Sequence, residues 1–321
     1  MKAVVHHSYG SPDVLNIEDV EKPTVTEDGV LVRVHASSVN PVEWYVMTGL
    51  FIARLQGGLF KPKDIRLGGD FAGVVEAVGS QVTDLNPGDE VFGGRSGAFA
   101  EYVNVKNAVA RKPANISFEE AAAVPTAAIT ALQGLRDYGK IQAGQKVLIN
   151  GAAGGVGTFA VQIAKAFGAE VTGVCSTRNV ELVRSLGADH VIDYTREDFT
   201  KNGQKYDLLL DVSGTRSWRD YKRVLTPDAN FVIVGAPKGN KIIGPLSHII
   251  KVRLGALRAS QKIVFFVAQF NRPDMSVLRD LIESGKVKPF VEQTHSLNDV
   301  AEAMRYLGTG HARGKIVLKI R

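Results

Sequence analysis

Four glycines, Gly151, Gly154, Gly155 and Gly157, crowd one turn between two apolar segments. Before them, Val147-Leu148-Ile149 reads as a buried parallel strand. After them, Val156, Phe159, Ala160, Ile163, Ala164 and Phe167 fall on one face of a helix, and Gly168 stands where a C-cap glycine would end it. Val171 to Val174 follows as a second strand. In such a β-α-β unit the glycine backbone can approach a ligand closely, while the helix N-terminus offers unpaired N–H groups and partial positive charge. A pyrophosphate suits that turn. The pattern is A-x-G-x-x-G over Ala152 to Gly157, and its strength comes from lying between a strand and a helix.

The end of the second strand bears on which dinucleotide would bind. An Asp or Glu about 20 residues beyond the glycines would hold the ribose 2′-hydroxyl of NAD. That slot holds Cys175 and Ser176, then Thr177 and Arg178. Hydroxyls and a guanidinium bind a 2′-phosphate, and no carboxylate stands there to repel it, so NADPH is expected over NADH. Arg178 on a solvated surface is the plainer alternative. Cys175, with no His set beside it in the sequence, reads as a small packing residue.

These residues need elements to carry them. A chain of 321 residues has room for two ordinary domains, and 45% hydrophobic with 22% charged residues is a globular composition. A net charge of +6 spread along the chain falls short of a nucleic-acid argument, so nucleic acid is not expected as the primary partner. One cysteine and no H-E-x-x-H pattern leave no metal site to build, and none is expected. The opening MKAVVHHSYG runs straight into a strand pattern, with His6-His7 on or beside that strand, and no apolar run is long enough to span a membrane. The expectation is a cytoplasmic protein.

Residues 1 to about 124 read as short strands broken by Gly and Pro, among them Val30–His35, Asp70–Val78 and a pair, Glu90–Phe92 and Phe99–Val105, across Gly93-Gly94. Ser117 with Glu120 is a capping box before a helix-forming stretch that Pro125 interrupts. From Lys146 strands alternate with helices, the mark of a doubly wound parallel sheet. Ser213, at the carboxyl end of one of these strands, is where ligands of such sheets sit. Residues 242–270 are apolar but carry Lys251, Arg253, Arg258 and Lys262. A helix covering the sheet, then the strand Ile263 to Val267, is preferred to a segment lying on a membrane surface. The last strand, Lys315 to Ile320, returns to the N-terminal part.

The order of these motifs resembles the medium-chain dehydrogenase/reductase superfamily, in its zinc-free quinone oxidoreductase-like branch. The matching pieces are Val39-Asn40-Pro41, LGGDFAGVVEAVGSQV (67–82), PGDEVFG (87–93), EEAAAVPTAAITAL (119–132), AAGGVG (152–157), SLGADHVIDY (185–194), LLLDVSG (208–214) and GKIVL (314–318). They span nearly the whole chain. The resemblance implies an α/β protein with a Rossmann doubly wound parallel sheet, residues 125–267, and a GroES-like β-rich catalytic domain built from 1–124 and 268–321. It implies an active site in the cleft between the two and a homodimer, often with nucleotide domains joined edge to edge.

By position in these motifs, Asn40 and Tyr45 stand near the substrate: Asn40 as a donor to the substrate oxygen or to the nicotinamide ribose, Tyr45 as a donor or proton relay. Thr126 and Thr130 stand near the nicotinamide, with Gly154, Gly155 and Val156 on the pyrophosphate. Ser176, Thr177, Arg178 and Tyr194 surround the 2′-phosphate. Gly235-Ala236-Pro237 borders the adenosine, and Phe265, Phe266 and Val267 border the nicotinamide end.

Zinc-dependent relatives carry a cysteine where this chain has Asn40, a His-Glu pair where it has Gly69-Asp70, and a four-cysteine lobe it lacks. Without a Lewis acid, an alkoxide is hard to stabilise, whereas an enolate or a reduced quinone spreads its charge over a system that hydrogen bonds can hold. The expected reaction is hydride transfer from NADPH to a quinone or α,β-unsaturated carbonyl, with the proton coming from a tyrosine or from water. Competing readings are a non-catalytic NADPH-binding sensor or scaffold, a zinc-independent alcohol or aldehyde reductase, and a zinc alcohol dehydrogenase, against which the ligand positions argue.

Overall fold

A computed structural model describes residues 1–235 and 246–321, apart from the side chains of Ile52 and Gln56. The strands in chain order are β1 (Lys2–Val5), β2 (Asn16–Asp19), β3 (Val30–Val39), β4 (Asp70–Val78), β5 (Glu90–Gly94), β6 (Tyr102–Val105), β7 (Val109–Arg111), β8 (Lys146–Asn150), β9 (Glu170–Cys175), β10 (His190–Asp193), β11 (Tyr206–Asp211), β12 (Leu225–Ile233), β13 (Lys262–Phe265), β14 (Val291–Ser296) and β15 (Lys315–Lys319). The helices are α1 (Pro41–Thr48), α2 (Phe51–Gly57), α3 (Phe118–Ala122), α4 (Pro125–Gln133), α5 (Gly155–Ala166), α6 (Val180–Ser185), α7 (Trp218–Lys222), α8 (Leu246–Gly255), α9 (Arg272–Glu283) and α10 (Val300–Gly308). Two compact units form. The first is Met1–Ile129 with Gln269–Gly285 and Pro289–Arg321; the second is Thr130–Ala268 with Lys286–Lys288.

In the first unit the main sheet runs β14-β15-β3-β4-β5-β7, with β6 on β3. β15 lies antiparallel to β3, Ile316 opposite Val39, so the chain's end does return to its beginning. Glu90–Phe92 and Phe99–Val105 do not pair with each other. β5 joins β4 and β7, while β6 lies antiparallel to β3. Gly97, at φ +86, and the segment through Phe99 turn the chain onto Gly68 and Leu67 first. Val4, Val39, Met47, Phe99, Ala303 and Leu318 make one buried cluster; Val30, Val34, Phe71, Val91 and Val103 make another.

The second unit is a six-stranded parallel sheet in the order β10-β9-β8-β11-β12-β13. The order reverses between β8 and β11, and ligands of such sheets bind at that switch, beyond the carboxyl ends of the strands. Val147, Leu148 and Ile149 are fully buried, as a strand covered on both faces requires. α8 turns Ile249 and Val252 into the cluster around Phe231 and Ile233, so this part of the basic apolar segment covers the sheet. Its beginning, 242–245, lies outside the described residues, as do Ala236 and Pro237. No helix among the described residues is long and apolar enough to cross a membrane.

Candidate active site

The switch point of the second unit is built around the glycine turn. Gly151 follows β8 at φ +92, a conformation glycine adopts without strain, and a Cβ there would lie 3.4 Å from Ser213. The sheet thus brings Ser213, just past β11, to the turn. A Cβ on Gly157 would collide with Gly151 O and lie 2.7 Å from the Ala152 carbonyl carbon, so this glycine lets α5 pack on the strand. Gly154 differs. Its backbone is ordinary (φ −81, ψ 176), and a Cβ would meet only Gly151 O at 3.6 Å. The fold does not need that glycine, whereas a phosphate seated on the first amides of α5, at Gly155 and Val156, would. The turn fits a pyrophosphate.

At the ends of β9 and β10, Ser176 is half-buried while Thr177, Arg178 and Tyr194 are exposed. Sequence reasoning missed a carboxylate here. Asp193, from the neighbouring strand, accepts from Thr177 Oγ1 at 2.5 Å and Thr195 Oγ1 at 2.7 Å, with Arg196 Nε 3.5 Å away. The Thr177 hydrogen bond chiefly holds its carboxyl below the ordinary range. The parallel register, which puts Asp193 beside Cys175, is the signal that could have found it.

Gly235 sits under Val212, where a Cβ would strike the carbonyl. Phe266 is buried and stacks on Tyr138 at 4.3 Å, Phe265 ends β13, and Val267 is exposed. Thr130 belongs to this unit and Thr126 to the other. Cys175 is buried, and burial pushes its thiol up to about 11, which suits packing rather than nucleophilic work. Also missed was Asp211, fully buried at the end of β11, which accepts from Asn150 Nδ2 (2.8 Å), Tyr221 Oη (2.6 Å) and Gly214 N (2.9 Å) and ties the strand ends together.

The first unit gathers a second set. Asn40 caps α1, and its N–H donates to Glu43 Oε2 at 2.7 Å. Its side chain turns inward, with Nδ2 donating to Asp70 Oδ2 (3.0 Å) and Ser38 O (3.3 Å) and Oδ1 accepting from Lys315 Nζ. Both amide hydrogens are used inside the unit. Asp70, fully buried, also accepts from Ser38 Oγ (2.7 Å), Thr126 N (2.9 Å) and Thr126 Oγ1 (2.6 Å), and Lys315 Nζ is 3.6 Å away. Asn40 and Thr126, far apart in the sequence, therefore meet on one carboxylate. Tyr45, two residues beyond Glu43 on α1, is half-buried, and burial raises its phenol above the ordinary value, so its O–H stays protonated at neutral pH.

Glu43, Asp70 and Lys315 escaped the sequence reading. An Asn three residues before a Glu, with Pro between, is a helix-start signature that points to Glu43. A lysine opening the apolar run Ile316-Val317-Leu318 signals a buried ammonium in need of a partner. Among the described residues no group of three or more His, Cys, Asp or Glu side chains could hold a metal ion.

Known proteins resemble this chain over its length. Residues 26–114 match the alcohol dehydrogenase GroES-like domain, and 186–318 match a domain described as zinc-binding dehydrogenase. A 2-methylene-furan-3-one reductase of Solanum lycopersicum is 38% identical over 99% of this chain and 79% of its own. An NADPH-dependent alkenal/one oxidoreductase, chloroplastic, of Arabidopsis thaliana is 37% identical over the same shares. The quinone oxidoreductase structure from Coxiella burnetii superposes with a TM-score of 0.87 at 31% identity, covering 100% of this chain and 99% of the other. The chain belongs to the medium-chain dehydrogenase/reductase superfamily, in its zinc-free quinone oxidoreductase-like branch.

Proposed function

We propose that this protein is an NADPH-dependent oxidoreductase that reduces quinones or α,β-unsaturated carbonyls by hydride transfer without zinc. The observation that carries this reading is near-full-length similarity to two relatives named for conjugated carbonyl substrates, one of them for NADPH as well. The residues fit the cofactor. Gly154, Gly155 and Val156 would take the pyrophosphate, Ser176, Thr177, Arg178 and Tyr194 the 2′-phosphate, and Gly235 and Ala236 the adenosine side, with Ser213 meeting the cofactor at its strand's carboxyl end. Thr126, Thr130, Phe265, Phe266 and Val267 would border the nicotinamide. When bound, NADPH supplies the hydride. Tyr45 offers its O–H to the acceptor oxygen, and Asn40 holds Asp70 and Lys315 in register behind the substrate, with its donor role to substrate or ribose kept as the alternative.

Two further features belong to the proposal. The protein is a homodimer, supported by β13 as the edge of its sheet and by exposed Ile250, Leu254 and Leu257 close to it in the chain. It works in the cytoplasm, where its lone buried thiol stays reduced.

The test is loss of reduced-nicotinamide absorbance with a benzoquinone, phenanthrenequinone, an enal, an enone and a simple ketone, using NADPH and NADH in parallel. The conjugated acceptors turn over, the ketone does not, and a strong chelator leaves the rate unchanged. NADPH binding with no turnover of any acceptor would favour a sensor or scaffold instead. Arg178→Ala is expected to weaken NADPH by about tenfold and leave NADH unaffected. Asp193→Asn, which removes a negative charge beside the 2′-phosphate, shifts the preference the other way, toward NADPH, by roughly threefold. Equal effects of either change on the two cofactors would move the 2′-phosphate elsewhere.

A further inference from the structure

In the first unit, large apolar side chains left in water gather in one segment. Val42, Phe51, Leu55, Leu59 and Phe60 all lie between residues 42 and 60, with Leu55 61% and Phe60 89% exposed. Exposed apolar side chains scattered singly are ordinary on a soluble protein, whereas a run of them in so short a segment marks a contact surface. Phe51 and Leu55 stand one turn apart on α2 and share a face. Leu59 and Phe60 follow at the tip of the turn that ends the helix.

That turn is tied down on both sides. Across it, Lys63 N donates to Gly57 O at 2.7 Å, and Gly58 takes φ +118 at a point where a Cβ would strike Lys61 O. From the N-terminal segment, Tyr9 Oη donates to Gly58 O at 2.5 Å. Arg54 lies over the Tyr9 ring, 4.6 Å from its centroid, and its Nε donates to Gly49 O at 2.7 Å. Tyr9 and Arg54 thus spend their polar atoms on fixing a turn whose apolar side chains stay in water. A tip ordered in advance loses little conformational entropy when it docks.

The charges beside the tip give the sign of the partner. From residue 44 to 63 the sequence WYVMTGLFIARLQGGLFKPK holds Arg54, Lys61 and Lys63 and no carboxylate. Lys61 and Lys63, flanking Pro62 just after Phe60, are exposed and make no ion pair among the described residues. The next acid, Asp64, accepts from Arg66 N at 3.1 Å, with Arg66 Nε 3.6 Å away. Apolar side chains at a tip with ammonium groups immediately behind them match the two layers of an anionic bilayer surface, acyl chains within and phosphates at the rim.

We propose that the turn after α2 docks this protein on an anionic lipid surface, with Leu55, Leu59 and Phe60 entering the acyl boundary and Lys61 and Lys63 at the headgroup phosphates. The proposal goes beyond the reaction proposed above and does not depend on it. Docking there sets the first unit against the phase in which apolar quinones and long-chain enals dissolve.

The test is sedimentation of the full chain with vesicles, in the absence of cofactor and acceptor. The protein should pellet with vesicles of equal parts phosphatidylglycerol and phosphatidylcholine and stay in solution with phosphatidylcholine alone. Phe60→Ser should weaken binding by about tenfold or more, and Lys61→Gln combined with Lys63→Gln by roughly 30-fold. Binding should fall as salt is raised toward about 1 M. Lys222→Gln combined with Lys286→Gln removes the same charge from exposed positions of the other unit and should bind like the parent. All of these side chains are exposed, so each variant should keep the parent's melting temperature. A parent that pellets with neither vesicle, or a Phe60→Ser protein that binds as well as the parent, overturns the proposal. An equal loss in the Lys222 and Lys286 variant also overturns it, since net charge alone would then explain the binding. Two other results without vesicle binding would reassign the tip: loss of self-association in Phe60→Ser gives it to a second copy of the chain, and a changed KM for a soluble enone gives it to the acceptor.

Discussion

Gly154→Ala is expected to fold like the parent and lose NADPH, while Gly157→Ala is expected to lose the fold of the nucleotide unit. The two glycines stand three residues apart in one turn but answer to different demands. At Gly154 the dihedrals are open to any residue and a methyl would touch almost nothing of the protein. The substitution should even stabilise the chain slightly, by up to about 1 kcal/mol, through the unfolded state. In the proposed binding mode the same methyl stands where a pyrophosphate would approach the α5 amides. Losing two or three such hydrogen bonds to an anion corresponds to on the order of 100-fold in affinity. At Gly157 the methyl would press into backbone atoms of Gly151 and Ala152, which cannot rotate away. A cost of about 3 kcal/mol or more follows, with NADPH binding lost as a consequence. Melting temperature and NADPH titration, taken on both variants, separate the cases. A Gly154→Ala protein that binds NADPH as the parent does would remove the phosphate from this turn.

Lys315→Met is expected to cost the first unit roughly 3–5 kcal/mol, far more than a surface lysine would. Its side chain is 3% exposed, and its ammonium is the one cation beside Asp70 and Asn40 Oδ1 among the described residues. Removing it leaves the buried Asp70 carboxylate without its counter-cation. The measurement is urea unfolding followed at Trp44, on α1, with the other tryptophan removed by Trp218→Phe. The midpoint should fall while the slope stays the same. A loss under about 1 kcal/mol would mean that Asp70 is held by its neutral donors alone. The double change with Asp70→Asn should cost less than the sum of the two single changes, since they share one interaction.

The nucleotide unit was legible because its signals are local. Apolar runs bounded by glycines give strands, the helical spacing after Gly155 gives α5, and the alternation of the two gives a parallel sheet. The surroundings of the proposed 2′-phosphate seat were legible along one strand only. Asp193 comes from the next strand, and only parallel register sets it beside Cys175. The first unit hid more. Lys315 is 275 residues from Asn40, and nothing in GKIVL says which buried acceptor its ammonium will meet. Likewise the short strands around Gly93-Gly94 looked like a hairpin, because turn residues announce that a chain bends but not which neighbour the next strand joins.

The central claim, hydride delivery from NADPH to a conjugated acceptor, is tested most directly by labelling the transferred hydrogen. An enone reduced with NADPH carrying deuterium at the hydride position should give a saturated ketone with the label on the β-carbon and the carbonyl intact. An allylic alcohol with the label on the carbonyl carbon, or a product without label, would contradict the account.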